Sequence, residues 1–171
     1  MTAMRKIKIL WTDDEIEILK AHVLFLREKG YEVDTCTNGI DTIDLVRHTP
    51  YDLIFLDEMM PGMGGLELLS AIRDLNPDAT VIIMTGYATV ETAIEALKNG
   101  AYDYILKPFN VFDILLAISR GLERRRLRDE LHRRLSSPEE GLDVAEYIGS
   151  IERELIPMAQ TFGIGLLYAM T

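Results

Sequence analysis

Apolar residues fall along this chain in two alternating rhythms. Short runs rich in β-branched and aromatic side chains occur at Ile7–Thr12, Tyr31–Cys36, Leu53–Leu56, Thr80–Thr85 and Tyr102–Leu106. Between them, apolar residues recur at steps of three and four, the spacing of one helix face. Ile16, Leu19, Val23 and Leu26 mark the first such stretch, which Gly30 closes. Ile40, Ile43 and Val46 mark the second, before Pro50, and Leu66, Leu69 and Ile72 mark the third, before Asn76-Pro77. Val90, Ile94 and Leu97 mark the fourth, before Asn99-Gly100, a pair suited to a helix C-terminus. A fifth helix opens near Val111, after Lys107-Pro108.

The strand runs are apolar throughout instead of alternating, which is the pattern of a parallel sheet covered on both faces. Strand followed by helix, repeated through the body, predicts an α/β fold: an open, doubly wound, five-stranded parallel sheet between two layers of helices. Ligands of such sheets sit beyond the carboxyl ends of the strands. Chemistry is therefore to be sought in the residues that follow each strand.

Those residues form a set. The first strand ends in Thr12-Asp13-Asp14-Glu15, the third runs into Asp57, the fourth ends at Thr85-Gly86 and the fifth at Lys107-Pro108. Singly, each has an ordinary explanation. Acids after a strand cap the next helix, and Thr-Gly and Lys-Pro mark turns. Together they bring three carboxylates, a hydroxyl and an amine to one end of one sheet. Converging carboxylates repel and raise one another's pKa unless a cation joins them. Oxygen donors without His or Cys suit Mg²⁺. A carboxylate beside that ion is a competent nucleophile toward phosphorus, with the amine and hydroxyl neutralising the transferred oxygens. Phosphoryl transfer onto Asp57 is the chemistry these residue types favour.

Composition narrows the setting. The chain has 171 residues, 48% of them hydrophobic and 27% charged, which is ordinary for a soluble globular protein. No apolar run approaches the roughly 20 residues that span a bilayer, and the basic, apolar opening MTAMRKIKIL is broken at once by TDDE. Cys36 is the only cysteine, which suits a reducing cytoplasm. The net charge of −10 is uneven: residues 1–119 carry −9, residues 120–134 carry +4 and residues 135–171 carry −5. These shifts suggest a globular body over 1–121, a basic helical linker over 122–136 that continues the last helix, and a short helical tail over 137–171.

The stretches WTDDE, LIFLDEMMPGMGGLELL and VIIMTGYATVETAIEALKNGAYDYILKPF carry a resemblance. Over about residues 5–120 the body resembles the receiver domain of bacterial two-component response regulators, and is most similar to receivers of the nitrogen-regulation type. The resemblance implies that Asp57 accepts a phosphoryl group from a sensor histidine kinase or phosphotransfer protein. It implies that Asp13 and Asp14 hold Mg²⁺ together with Asp57 and the backbone carbonyl of Met59. Lys107 would pair with the phosphoryl oxygens, and the Lys107-Pro108 bond would be cis. Thr85 would be the switch hydroxyl and Tyr104 the switch aromatic, with Pro61 and Gly65 in the loop after the acceptor. Phosphorylation would draw Thr85 inward, let Tyr104 turn into the vacated space and alter the face built by the fourth helix, fifth strand and fifth helix. Trp11 stands where a smaller aliphatic residue is usual in this family, and Met59 would shield the acyl phosphate from water. The opening IKILWTDDEIEILKAHVLFLREKGYEV is also similar to regulators with a phosphatase-like output, so the output type is not inherited from either likeness.

The remaining chain is read from pattern. Leu115, Ile118 and Leu122 form one apolar stripe of the fifth helix, and Leu127, Leu131 and Leu135 form another, offset by a five-residue step. Arginines coat the other faces. Ser137-Pro138-Glu139-Glu140 is a fresh helix start, and Leu142, Ala145, Ile148, Ile151 and Leu155 continue at helical spacing. The apolar end FGIGLLYAM needs cover, so a homodimer is expected. The acidic tail makes DNA contact through this chain alone unfavoured. The expected function is a cytoplasmic receiver that signals through a phosphorylation-dependent surface and has no catalysis beyond self-phosphorylation and self-dephosphorylation at Asp57. Two alternatives stand beside it. One is the front of a longer regulator with a DNA-binding or enzymatic output. The other is a Mg²⁺-dependent phosphohydrolase, which wants a second Asp where Met59 stands.

Overall fold

The structure is a computed structural model that describes residues 5–87 and 89–136, with Gly149 and Arg153. Five strands, β1 (Lys8–Thr12), β2 (Glu32–Cys36), β3 (Leu53–Asp57), β4 (Val81–Thr85) and β5 (Asp103–Leu106), pair in parallel in the order β2-β1-β3-β4-β5. Five helices connect and follow them: α1 (Lys20–Glu28), α2 (Gly39–His48), α3 (Gly65–Leu75), α4 (Val90–Lys98) and α5 (Val111–Ser136). This is the flavodoxin-like α/β sandwich that the pattern predicts. The strand order reverses between β1 and β3, and the crevice of such sheets opens at that reversal.

Side-chain parity along the strands divides the core in two. Ile9, Trp11, Leu53, Phe55, Ile82 and Met84 face one layer, where Val23 and Leu26 of α1 and Ile114, Ala117 and Ile118 of α5 meet them. Leu10, Ile54, Leu56, Val81 and Ile83 face the other layer, against Leu68, Leu69 and Ile72 of α3 and Ala96 of α4. Both faces of β1, β3 and β4 are covered, so both parities are apolar there. The edge strand β2 instead alternates, with Val33 and Cys36 buried and Glu32 exposed.

Two details depart from the sequence pattern. The helix expected from Ile16 begins with a separate 3-10 turn over Ile16–Leu19, and α1 proper starts at Lys20. Asp13 Oδ1 accepts the Glu15 N–H at 2.9 Å, and the Ile16 N–H bonds back to the Asp13 carbonyl. The chain is thus held in three-residue turns until it clears the acidic corner. On α5 the buried face is Ile114, Ala117, Ile118 and Gly121, rotated from the expected leucine stripe, with Leu115 and Leu122 packed at its margin. Gly121 permits this. A Cβ there would lie 2.6 Å from Leu53 Cδ2, so the helix backbone approaches the sheet where a larger residue would hold it away.

The chain divides into two units, Met1–Arg126 and Leu127–Thr171. In the first, the arginines at the end of the body are engaged. Arg125 Nη1 lies 3.1 Å from the buried Asp52 carboxylate, which also accepts from Arg5 and from the Lys8 N–H. Arg124 lies 4.9 Å from the Tyr102 ring centre, and Arg120 is 3.8 Å from Asp103. In the second, Arg133 and Arg134 both pair with Glu130 at 2.7 Å. The expected helical tail over 137–171 lies outside the described residues, apart from Gly149 and Arg153.

Candidate phosphorylation site

Parity also sorts the polar residues at the carboxyl ends of the strands. Asp13, Asp57 and Lys107 continue the phase of Trp11, Phe55 and Ile105, so they fall on the α1 and α5 side of the sheet edge. Thr85 and Tyr104 continue the opposite phase, toward α3 and α4. Register aligns the strand ends: Thr12 lies beside Leu56, Asp57 beside Met84 and Thr85 beside Leu106. The crevice at the β1–β3 reversal is therefore floored by Asp13 and Asp57.

Asp13 is fully buried and Asp57 is 4% exposed, whereas Asp14 is exposed at the rim. One carboxylate oxygen of each lies within 4.8 Å of the others. Lys107 Nζ donates to Asp13 Oδ2 at 2.7 Å and lies 3.5 Å from Asp57 Oδ2. Its ammonium bridges the two buried acids from the fifth strand. The Lys107–Pro108 peptide is cis, and Phe109 then turns back into the core.

Electrostatics follow from this crowding. Burial raises the Asp57 carboxyl to about 6, and the charge of Asp13 adds to the rise. The Lys107 ammonium and the Met59 N–H only partly offset it, and a hydrogen bond with Asp14 adds a little to the rise. Burial by itself would lower Lys107, but its hydrogen bond to Asp13 and the charges of Asp13 and Asp57 hold it above the ordinary lysine value. A cleft of hard oxygen donors with excess negative charge fits a divalent cation of the Mg²⁺ type.

Around the crevice, the Met59 N–H donates to Asp57 Oδ1 at 3.3 Å, while the Met59 side chain is 66% exposed. Gly65 opens α3 hard against the Asp57–Glu58 backbone: a Cβ there would lie 2.8 Å from both the Asp57 carbonyl oxygen and Glu58 Cα. Thr85 is fully buried, and its hydroxyl accepts the Tyr87 N–H at 3.1 Å. Tyr104 is half-buried and donates to Glu58 Oε2 at 2.7 Å. Trp11 is fully buried. Its ring centre lies 5.3 Å from that of Phe55 and 5.9 Å from that of Phe109, so its bulk is absorbed by the core. The site thus gathers Asp13, Asp14, Asp57, Met59 and Lys107 in one crevice, with Thr85 and Tyr104 on its α4 side. Glu58 was not anticipated. Continuing the parity of Ile54 and Leu56 one step beyond β3 is the signal that points it toward Tyr104.

Comparison with known proteins agrees with this geometry. The response regulator receiver domain family matches residues 9–119 of the chain. The chain is a member of that family. It is 39% identical over 124 residues to the transcriptional regulatory protein ZraR of Klebsiella oxytoca, an alignment covering 72% of this chain and 28% of that protein. A CheY-like receiver domain protein of Methanospirillum hungatei JF-1 superposes with a TM-score of 0.68 at 32% identity, covering 71% of this chain and 98% of that one. The beryllofluoride-activated NtrC4 receiver domain dimer superposes with a TM-score of 0.66 at 34% identity, covering 69% of this chain and 98% of that one. The receiver thus spans less than a third of the curated relative but nearly the whole of the two receiver structures. No helix among the described residues is long and apolar enough to cross a membrane.

Proposed function

We propose that this receiver accepts a phosphoryl group on Asp57 from a sensor histidine kinase or phosphotransfer protein in the cytoplasm. The supporting observation is the trio of Asp13, Asp57 and Lys107 at the β1–β3 reversal, with Asp57 set between a second buried carboxylate and a cation. An Asp57 oxygen attacks phosphorus. The new O–P bond forms as the N–P bond to the donor imidazole breaks, and the imidazole nitrogen leaves with a proton. Lys107 neutralises the charge of the transferred oxygens, and Asp13, Asp14, Asp57 and the Met59 carbonyl would hold Mg²⁺. That ion supplies charge neutralisation at the phosphoryl oxygens when bound. Strand phase and the bond to Asp13 place the amine in the crevice, and the buried Phe109 anchors the loop that follows.

Thr85 and Tyr104 carry the signal to α4 and β5. Val90 and Ile94 of α4, Leu106 of β5, and Phe112 and Leu116 of α5 are exposed apolar residues, more than an isolated soluble face requires. They support a homodimer formed on phosphorylation. The second reading, the front of a longer regulator, is favoured by the small share of its relatives that the chain spans. Phosphoramidate with Mg²⁺ tests the main reading. Intact-mass analysis should show one acid-labile phosphoryl adduct, absent from Asp57→Asn. Phosphoryl incorporation at an undiminished rate in that variant would sink it, and sustained turnover of a phosphate ester would favour a phosphohydrolase instead.

A further inference from the structure

The hydroxyl of Tyr104 sits at a junction of three segments. It donates to Glu58 Oε2 at 2.7 Å and lies 3.4 Å from Thr92 Oγ1. Glu58 directly follows Asp57. Its backbone is clamped on both sides: its N–H bonds to the Met84 carbonyl at 2.8 Å, and its carbonyl accepts the Gly65 N–H at 3.1 Å. The carboxylate therefore projects from a fixed base. Thr92 belongs to the capping box of α4, where its hydroxyl accepts the Thr89 N–H at 3.1 Å and Thr89 Oγ1 accepts the Thr92 N–H at 3.2 Å. Tyr104 thus ties the segment after the acceptor to the N-terminus of α4.

A hydrogen bond from a neutral donor to a carboxylate is about twice as strong as one between neutral groups, and short geometry such as this marks the strong class. Burial raises the Tyr104 phenol, and the Glu58 contact raises it further against the opposing hydrogen bonds of Thr92 and Thr85, so the ring keeps its proton and remains a donor. Turning Tyr104 toward the space beneath Thr85 requires this bond to break. Among the described residues, Glu58 is the charged group hydrogen-bonded to the ring.

We propose that Glu58 is a latch: its carboxylate holds Tyr104 and the α4 N-terminus in the resting arrangement and so sets how readily the unphosphorylated chain switches. This rests on the reading of Asp57 as acceptor and Tyr104 as switch aromatic, and it adds a positioning residue to that switch. The competent state is a minor population at rest, and the apparent affinity for any ligand of that state is reduced by the same fraction. Loosening the latch raises that affinity without adding a contact to the ligand.

The test uses the full chain with beryllofluoride and Mg²⁺, a stable mimic of the acyl phosphate, titrated by following backbone amide signals. Glu58→Ala and Tyr104→Phe should each bind the mimic about tenfold tighter than the parent, the size of one charge-assisted hydrogen bond. Before the mimic is added, the Thr89 and Thr92 amides should already be displaced toward their bound positions. The double variant should bind no tighter than Tyr104→Phe alone, because both changes release the same bond. Glu58→Gln, which keeps the shape and an acceptor, should fall between parent and Glu58→Ala. A Glu58→Ala gain that persists in full on the Tyr104→Phe background would assign the effect to charge near the acceptor and overturn the latch. Equal affinity for parent and single variants would overturn it as well. Failure of the parent to bind the mimic at all would instead overturn the acceptor reading on which the latch stands.

Discussion

Removing the acceptor's charge should stabilise the metal-free protein at neutral pH, and the structure sets the size. Asp57 is buried beside Asp13, and its carboxyl is held at about 6 instead of the ordinary 3.8. The folded chain therefore binds this proton more tightly than the unfolded chain. Stability from the group is fully present below 3.8 and is lost as pH rises through about 6. At about 1.4 kcal/mol per pH unit, that interval corresponds to at most about 3 kcal/mol of destabilisation at neutral pH. Water at the rim, where Asp14 is exposed, screens part of this. Asn at position 57 keeps an acceptor for the Met59 N–H, and Lys107 keeps its 2.7 Å bond to Asp13. A net gain of ~1–2 kcal/mol is expected for Asp57→Asn. Urea denaturation in chelator at about pH 7.5 should show that gain, and most of the gap should close by about pH 4.5 as the parent takes up its proton. Mg²⁺ should stabilise the parent more than the variant and narrow the gap at the higher pH. Equal or lower stability of Asp57→Asn in chelator at the higher pH, or the same gain at both, would refute the reasoning.

Other expectations follow from the same crevice and its supports. Lys107→Met removes the cation that lowers Asp57, so the Asp57 carboxyl carbon should titrate in NMR above about 6, and phosphoryl incorporation should fall at least tenfold. Gly65→Ala pushes a methyl into the Asp57–Glu58 backbone, and urea denaturation should show a loss of ~1–3 kcal/mol with weakened Mg²⁺ binding. Asp52→Ala strips partners from Arg125 and from the Lys8 N–H. Stability should fall by ~2–4 kcal/mol, and most of that loss should survive in high salt because Asp52 is buried.

The fold and the crevice were legible for one reason. The inner strands β1, β3 and β4 are buried on both faces and nearly apolar throughout, so polarity returns at their ends. The edge strands β2 and β5 carry polar residues within them. Asp13, Asp57, Thr85 and Lys107 stood out on that ground before any geometry. What was hidden depends on packing that spacing does not encode. Nothing in Asp13-Asp14 says that the first is fully buried and the second exposed, since that is decided by the 3-10 turn beginning at Ile16. Of the expected α5 stripe, Ile118 is buried with Leu115 and Leu122 packed at its margin, and Gly121, which counts as neutral in a hydrophobic pattern, is buried against Leu53. The Glu58–Tyr104 bond links neighbours in space that are 46 residues apart in sequence, so strand parity can suggest it but only the structure can measure it. The arginines near the end of the body form a cluster in sequence; in the structure, Arg124 and Arg125 are spent on Tyr102 and Asp52.

The aromatic cluster under the crevice has an optical consequence. Trp11 is the only tryptophan in the chain, lies two residues before Asp13 and is sealed from water. Its ring touches Phe109, two residues after Lys107, and lies 6.4 Å from the His22 ring, so it shares contacts with both walls of the crevice. Indole emission depends on the polarity and packing of its surroundings. Any movement of the Lys107–Phe109 loop on binding a cation or a phosphoryl mimic should therefore change the brightness of one native fluorophore. The receiver can be followed in stopped flow without a label, at the time resolution of the binding step.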